Sequence, residues 1–161
     1  MVLNVVLVEP EIPQNTGNIA RTCVSTGTAL HLVGPLGFSL EDKYLKRAGL
    51  DYWDMLELHY YDSFRELKEK YPSNTFYYAT TKASRLYTDV CYPMDCFIVF
   101  GKETAGLPRD LLEENREYCI RIPMVKENRS LNLSNSVAII LYEALRQNGF
   151  FGLEIDKQGI K

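Results

Sequence analysis

Residues 2–8, V-L-N-V-V-L-V, form a near-continuous apolar run that Glu9 stops. A strand with one wet face alternates apolar and polar residues. One that is apolar throughout is covered on both faces, as in a parallel sheet sandwiched between helices. The rest of the chain keeps that rhythm. After E-P-E-I-P-Q, a helix is expected from Asn15 or Thr16 to a left-handed cap at Gly27. Ile19, Ala20, Cys23 and Val24 form its apolar stripe, with Asn18, Arg21 and Ser25 on the opposite face. Strands are expected at 30–33, 55–60, 75–79, 96–100 and 118–122, and helices at 41–49, 62–71, 109–116 and 134–148. The alternation predicts an α/β fold with a mostly parallel sheet flanked by helices.

The 161 residues, 46% apolar and 24% charged, suit one domain that needs no disulfide or metal staple. One domain spanning 1–161 is expected, with the tail after about residue 152 frayed. Cys23, Cys91, Cys96 and Cys119 contain no C-x-x-C, and His31 and His59 both lie in strand-like runs. Reduced, mostly buried thiols, structural histidines and no metal site are expected. The N-terminus lacks a basic leader and no run approaches ~18 apolar residues, so the expectation is a soluble, cytoplasmic chain without a membrane segment. A net charge of −3 argues against bulk phosphate neutralisation but leaves a local basic face open.

Three strand exits gather the candidate chemistry: A-T-T-K (79–82), G-K-E-T-A-G-L-P (101–108) and the stretch 122–134. Loops beyond the carboxyl ends of parallel strands expose free N–H and C=O groups to ligands. Gly101 and Gly106 permit close backbone approach, although tight strand-to-helix turns would use them too. Leu107 and Pro108 stand where a phosphate loop needs Lys and Ser/Thr, and neither G-x-G-x-x-G nor G-x-S-x-G occurs. Residues 120–125 read as a strand that breaks at Pro123. Beyond it, Ser130, Asn132 and Ser134 would form a polar comb opposite Leu131 and Leu133 if extended. Such a comb at a helix start is costly unless its donors and acceptors are used. Arg21 is either a solvated helix residue or an anion ligand, since Asn15, Asn18 and Arg21 all lie just beyond a helix N-terminus. Lys43, Tyr44, Lys46, Arg47, Tyr52 and Trp53 could grip phosphates and stack bases, or simply form an amphipathic surface helix.

Taken together, N-T-G-N-I-A-R (15–21), F-G-K-E-T-A-G-L-P (100–108) and I-R-I-P-M-V-K-E-N-R-S-L-N-L-S-N (120–135) resemble the motifs of SPOUT-class RNA 2′-O-ribose methyltransferases, the TrmH/SpoU superfamily. Between them, R-A-G-L-D-Y-W (47–53) looks like the TrmL-type branch, which methylates cytidine or uridine at wobble position 34 of tRNA. The resemblance spans about residues 3–150. It implies S-adenosyl-L-methionine as cofactor, tRNA as partner, a C-terminal trefoil knot and a homodimer with the active site at the subunit interface. The first and last helices are the candidates for that interface.

Residue by residue, the resemblance implies a cofactor pocket of Ala79, Thr80, Gly101, Gly106, Ile122, Pro123, Met124, Ser130 and Leu131. Arg21 matches the catalytic arginine, Asn15, Glu103, Ser130 and Asn132 match supporting polar residues, and Tyr142 is a substrate-side candidate. Dimerisation would concentrate Arg21, Lys43, Lys46, Arg47, Lys82 and Arg129 on one tRNA-binding face. Ala105 departs from the longer or basic residue many relatives carry there, so one RNA contact is expected to be missing. A guanidinium stays protonated, so Arg21 is expected to orient a phosphate and stabilise a developing alkoxide rather than act as base. Two rivals predict different ligands: a non-catalytic RNA-binding module of the same fold, and a dinucleotide-dependent enzyme, which would need the missing phosphate loop.

Overall fold

The N-terminal apolar run becomes the centre of a six-stranded sheet. The structure, a computed structural model, describes residues 1–41, 43, 45, 47 and 52–156. The strands are β1 (Asn4–Val8), β2 (Ala29–Val33), β3 (Leu58–Tyr61), β4 (Phe76–Ala79), β5 (Phe97–Phe100) and β6 (Cys119–Ile120). Their order is β3-β2-β1-β5-β4-β6, and every pairing is parallel. Successive β1 side chains enter opposite clusters. Val5 and Leu7 meet Ile19, Cys23, Ile98 and Ile140 on one face, while Val6 and Val8 meet Leu67, Phe97 and Val99 on the other. That two-sided burial is why the run cannot alternate. A side chain as fully buried as Leu7 contributes roughly 1.5–3 kcal/mol.

Helices α1 (Pro13–Thr26) and α4 (Leu133–Gln147) pack together over the first face. Helices α2 (Phe64–Lys70) and α3 (Arg109–Glu114) bring Leu67, Leu111 and Leu112 to the second. The chain steps outward from β1 to β2 and β3, then returns with β5 on the other side of β1. The order therefore reverses at the carboxyl ends of β1 and β5, where parallel sheets place ligands.

Several boundaries differ from expectation for physical reasons. Helix α1 starts at Pro13, two residues early, because the first helical position needs no N–H. It does end at Gly27, at φ +63°. The strand expected at 55–60 is split: a 3₁₀ turn occupies Trp53–Met55 and β3 begins at Leu58. The helix expected at 109–116 ends at Glu114 and passes into a 3₁₀ turn, Arg116–Tyr118. Neither a 118–122 strand nor a 120–125 strand forms, since β6 holds only Cys119–Ile120. Arg121 adds a single bridge to Leu86, and Pro123 cannot donate to a ladder. Of the helix expected at 41–49, Lys43, Leu45 and Arg47 are helical, and Tyr44 and Lys46 lie outside the described residues.

Three of the four cysteines are buried, but Cys91 is exposed. Burial pushes the Cys23 and Cys96 thiols up to about 12, which keeps them unreactive. His31 is structural. Its Nε2 donates to Asn4 Oδ1 at 3.0 Å and its Nδ1 accepts from the Tyr61 hydroxyl at 3.3 Å, in a fully buried neutral ring. Among the described residues no helix is long and apolar enough to cross a membrane, and no group of side chains could hold a metal ion.

Candidate active site

The loops leaving β4, β5 and β6 meet the start of α4 around a cavity of about 590 Å³. Its wall includes Ala79, Thr80, Gly101, Gly106, Ile122, Met124, Ser130 and Leu131. Pro123, between Ile122 and Met124, is not part of it. The size falls within the ~300–1,000 Å³ typical of small-molecule sites. Two glycines shape the floor. A Cβ on Gly101 would lie 2.1 Å from the Gly106 carbonyl carbon, so only glycine lets the loop fold back this closely. Gly106 itself sits at φ +68°, where it donates its N–H to Lys102 O at 2.9 Å.

Polar side chains tie three distant segments together. Glu103 accepts from the backbone N–H groups of Glu11 (2.8 Å) and Ile12 (3.1 Å) and from Asn15 Nδ2 (3.3 Å). Glu11 returns the contact, accepting from Thr104 N at 3.2 Å and Thr104 Oγ1 at 2.9 Å. Asn132 Nδ2 donates to Asn15 Oδ1 at 3.1 Å, and Asn132 Oδ1 caps α4 by accepting from Ser134 N at 2.9 Å and Asn135 N at 3.3 Å. The expected polar comb is therefore a helix cap, with Ser134 inside α4 rather than in an extended strand. The anion at the start of α1 is Glu103 itself, which supplies the negative charge that the helix dipole favours there.

The expected catalytic set divides. Asn15, Glu103, Ser130 and Asn132 line the cavity, whereas Arg21 and Tyr142 do not. Arg21 is exposed on α1, six residues past Asn15 and roughly 9 Å farther along the axis. Tyr142 is 46% exposed on the outer face of α4, so it is not core. Lys82 and Arg129 reach the cavity wall. Lys43 and Arg47 are exposed elsewhere, and Lys46 lies outside the described residues. Sequence reasoning missed Ile12, Lys102, Arg121 and Ser136 in the wall. Lys102 also pairs with Glu9 at 4.0 Å, and Glu9, just past β1, sits in the left-handed region at φ +51°. Only position at the sheet's carboxyl edge could have flagged that pair.

The wall combines loop N–H and C=O groups with Leu131, Ile122, Met124 and Ile140, a mixture suited to a flat heterocycle with polar edges. Comparison with known proteins places this geometry. The SpoU rRNA methylase family model matches residues 2–142. A tRNA (cytidine(34)-2′-O)-methyltransferase from Methylovorus glucosotrophus is 47% identical over 150 residues, covering 92% of this chain and 97% of the relative. A Geobacillus stearothermophilus protein, named provisionally for the same activity, is 54% identical over 156 residues, 95% of this chain and 99% of its own. A solved structure described as "Structural insights into the 2-OH methylation of C/U34 on tRNA" matches with TM-score 0.88 and 39% identity, over 92% of this chain and 97% of that one. The SpoU methyltransferase AviRb from Streptomyces viridochromogenes, solved in complex with AdoMet, shares the fold at TM-score 0.83 and 24% identity, over 91% of this chain and 60% of that one. This chain belongs to the SpoU rRNA methylase family.

Proposed function

We propose that this chain is an enzyme that methylates the 2′-oxygen of the wobble nucleotide of tRNA, cytidine or uridine 34, using S-adenosyl-L-methionine. The names of the relatives support the substrate, and the AdoMet complex of AviRb supports the donor. One observation carries the reading. Segments around residues 15, 103 and 132 converge on a single cavity and are joined there by the Glu103–Asn15–Asn132 chain. The residues present fit the donor. Close-packed loop backbone at Gly101 and Gly106 offers hydrogen bonds to an adenine edge, and Ile122, Met124 and Leu131 offer apolar flanks.

When bound, S-adenosyl-L-methionine supplies a sulfonium methyl that needs no further activation. The protein's part is positioning, which can contribute up to roughly 7–11 kcal/mol. The Glu103–Asn15–Asn132 chain fixes the pocket walls. Lys82 and Arg129 at its rim meet the RNA backbone, with Lys43 and Arg47 extending the basic face. Arg21 orients a substrate phosphate and stabilises charge growing on the 2′-oxygen, whose proton leaves to water or to a phosphate oxygen. Tyr142 lies on the substrate side.

The same reading extends to architecture. The chain forms one cytoplasmic methyltransferase domain and works as a homodimer through α1 and α4, which brings Arg21 of one subunit toward the pocket of the other. Its C-terminal segment is knotted. Support for the knot comes from residues 121–131, which connect β6 at the sheet edge to Asn132 beside Asn15 and share one cavity with the β4 and β5 loops. Labelled methyl transfer to a tRNA transcript with cytidine 34, mapped by nucleoside mass spectrometry, tests the activity. A transcript with 2′-deoxycytidine at 34 should accept nothing. Equal labelling of both transcripts would overturn the proposal.

A further inference from the structure

We infer that Tyr52 is a positioning residue that holds the Arg21 guanidinium ready for an anionic group of the substrate. The inference rests on the reading of Arg21 as part of the active site. The arginine differs from three others on the helices. Arg65, Arg109 and Arg146 each reach a carboxylate three or four residues away on their own helix, at 2.7, 2.7 and 2.8 Å. Arg21 has Val24 and Ser25 at those positions, and among the described residues it makes no ion pair. Its guanidinium carbon lies instead 5.1 Å from the centroid of the Tyr52 ring, within cation–π range.

The difference has chemical content. A carboxylate partner would neutralise the charge and occupy N–H donors. An aromatic face does neither, and among the described residues all five donors remain free for a phosphate or a developing alkoxide. A long flexible side chain on a solvated helix face otherwise loses rotamer freedom when it binds. Stacking on a fixed ring removes part of that cost beforehand. Tyr52 is fixed. It precedes the Trp53–Met55 turn, Met55 N donates to Tyr52 O at 3.0 Å, Trp53 packs against the core, and the turn lies against α1. Among the described residues the phenol hydroxyl makes no hydrogen bond, so the ring face carries the contact.

The test compares Tyr52→Phe with Tyr52→Leu, and with Tyr52→Met should the leucine variant melt early. Three readouts are taken on the full chain: kcat and KM for tRNA methylation, S-adenosyl-L-methionine affinity by calorimetry, and the order parameter of the Arg21 Nε–H group by NMR. Tyr52→Phe should stay within about two-fold of wild type in all three. Tyr52→Leu should lower kcat by about 2- to 5-fold, the factor carried by an exposed cation–π contact, and loosen the Arg21 Nε–H vector while donor affinity holds. An unchanged order parameter and kcat in Tyr52→Leu overturns the inference, as does a Tyr52→Phe variant as impaired as Tyr52→Leu. A wild-type protein that methylates no tRNA overturns the functional reading instead, and the order parameter still decides the role of Tyr52.

Discussion

Replacing Glu103 by glutamine separates two roles that the carboxylate could play. In the structure it is a staple that takes two backbone N–H groups, at 2.8 and 3.1 Å, and the Asn15 amide at 3.3 Å. Glutamine keeps one acceptor oxygen but turns an NH₂ group toward donors. Hydrogen bonds to a charged acceptor contribute about 1.5–3 kcal/mol each when shielded, and an anion at a helix start adds about 0.3–1 kcal/mol. Glu103 is only half-buried, so water recovers part of this, leaving a loss of about 2–3 kcal/mol. For a chain of this length that corresponds to a melting temperature lower by about 4–12 °C. Thermal melting by circular dichroism measures it, and calorimetric titration with S-adenosyl-L-methionine should show weakened binding as the 101–106 loop loosens. A Glu103→Gln protein that melts with wild type, binds the donor normally and yet fails to turn over would place Glu103 on the substrate and dismiss the staple.

Arg21→Ala should lower kcat by at least about 100-fold while donor affinity stays within about two-fold, because Arg21 does not line the cavity; single-turnover kinetics with calorimetry checks both. Gly101→Ala should abolish donor binding and lower the melting temperature, since its Cβ would meet Gly106 and Leu107 backbone atoms at 2.1 and 2.2 Å; calorimetry and melting read this out. Burial, with His59 and Lys70 nearby, holds the His31 pKa down at about 3 against an ordinary 6.5. The unfolded chain therefore takes up this proton first. Stability is complete above about pH 6.5 and drains as pH falls toward 3, by at most ~1.4 kcal/mol per unit. Urea unfolding of wild type against His31→Gln across about pH 4–7 should show the steeper slope in wild type.

The sheet was legible because its central strands announce themselves. Residues 2–8, 30–33 and 96–100 are apolar on both faces apart from Asn4 and His31, the pattern of short strands covered on both sides. The edges were less so. Strand β3 is half-exposed and β6 has two residues, so neither carries enough periodicity to fix its ends. Pro13 read as loop because proline has two meanings, breaker and first helical residue, and only the three-dimensional path of the next turn distinguishes them. For the site, motif order located the pocket walls, and Ala79, Gly101 and Ser130 all lie there. Roles were harder. That Glu103 faces two backbone N–H groups 91 and 92 residues away is a long-range fact with no local signature. Nor could spacing reveal that Arg21 rests on Tyr52.

One amide does two jobs: Asn132 starts the final helix and, through its nitrogen, clasps Asn15 near the opposite end of the chain. Loss of that one side chain would therefore undo the clasp on Asn15 and the α4 cap together. A polypeptide cut short before that asparagine would lack both the clasp and α4, which covers the first face of the sheet. Two side chains thus make the pocket wall and the first turn of α4 answer to one another.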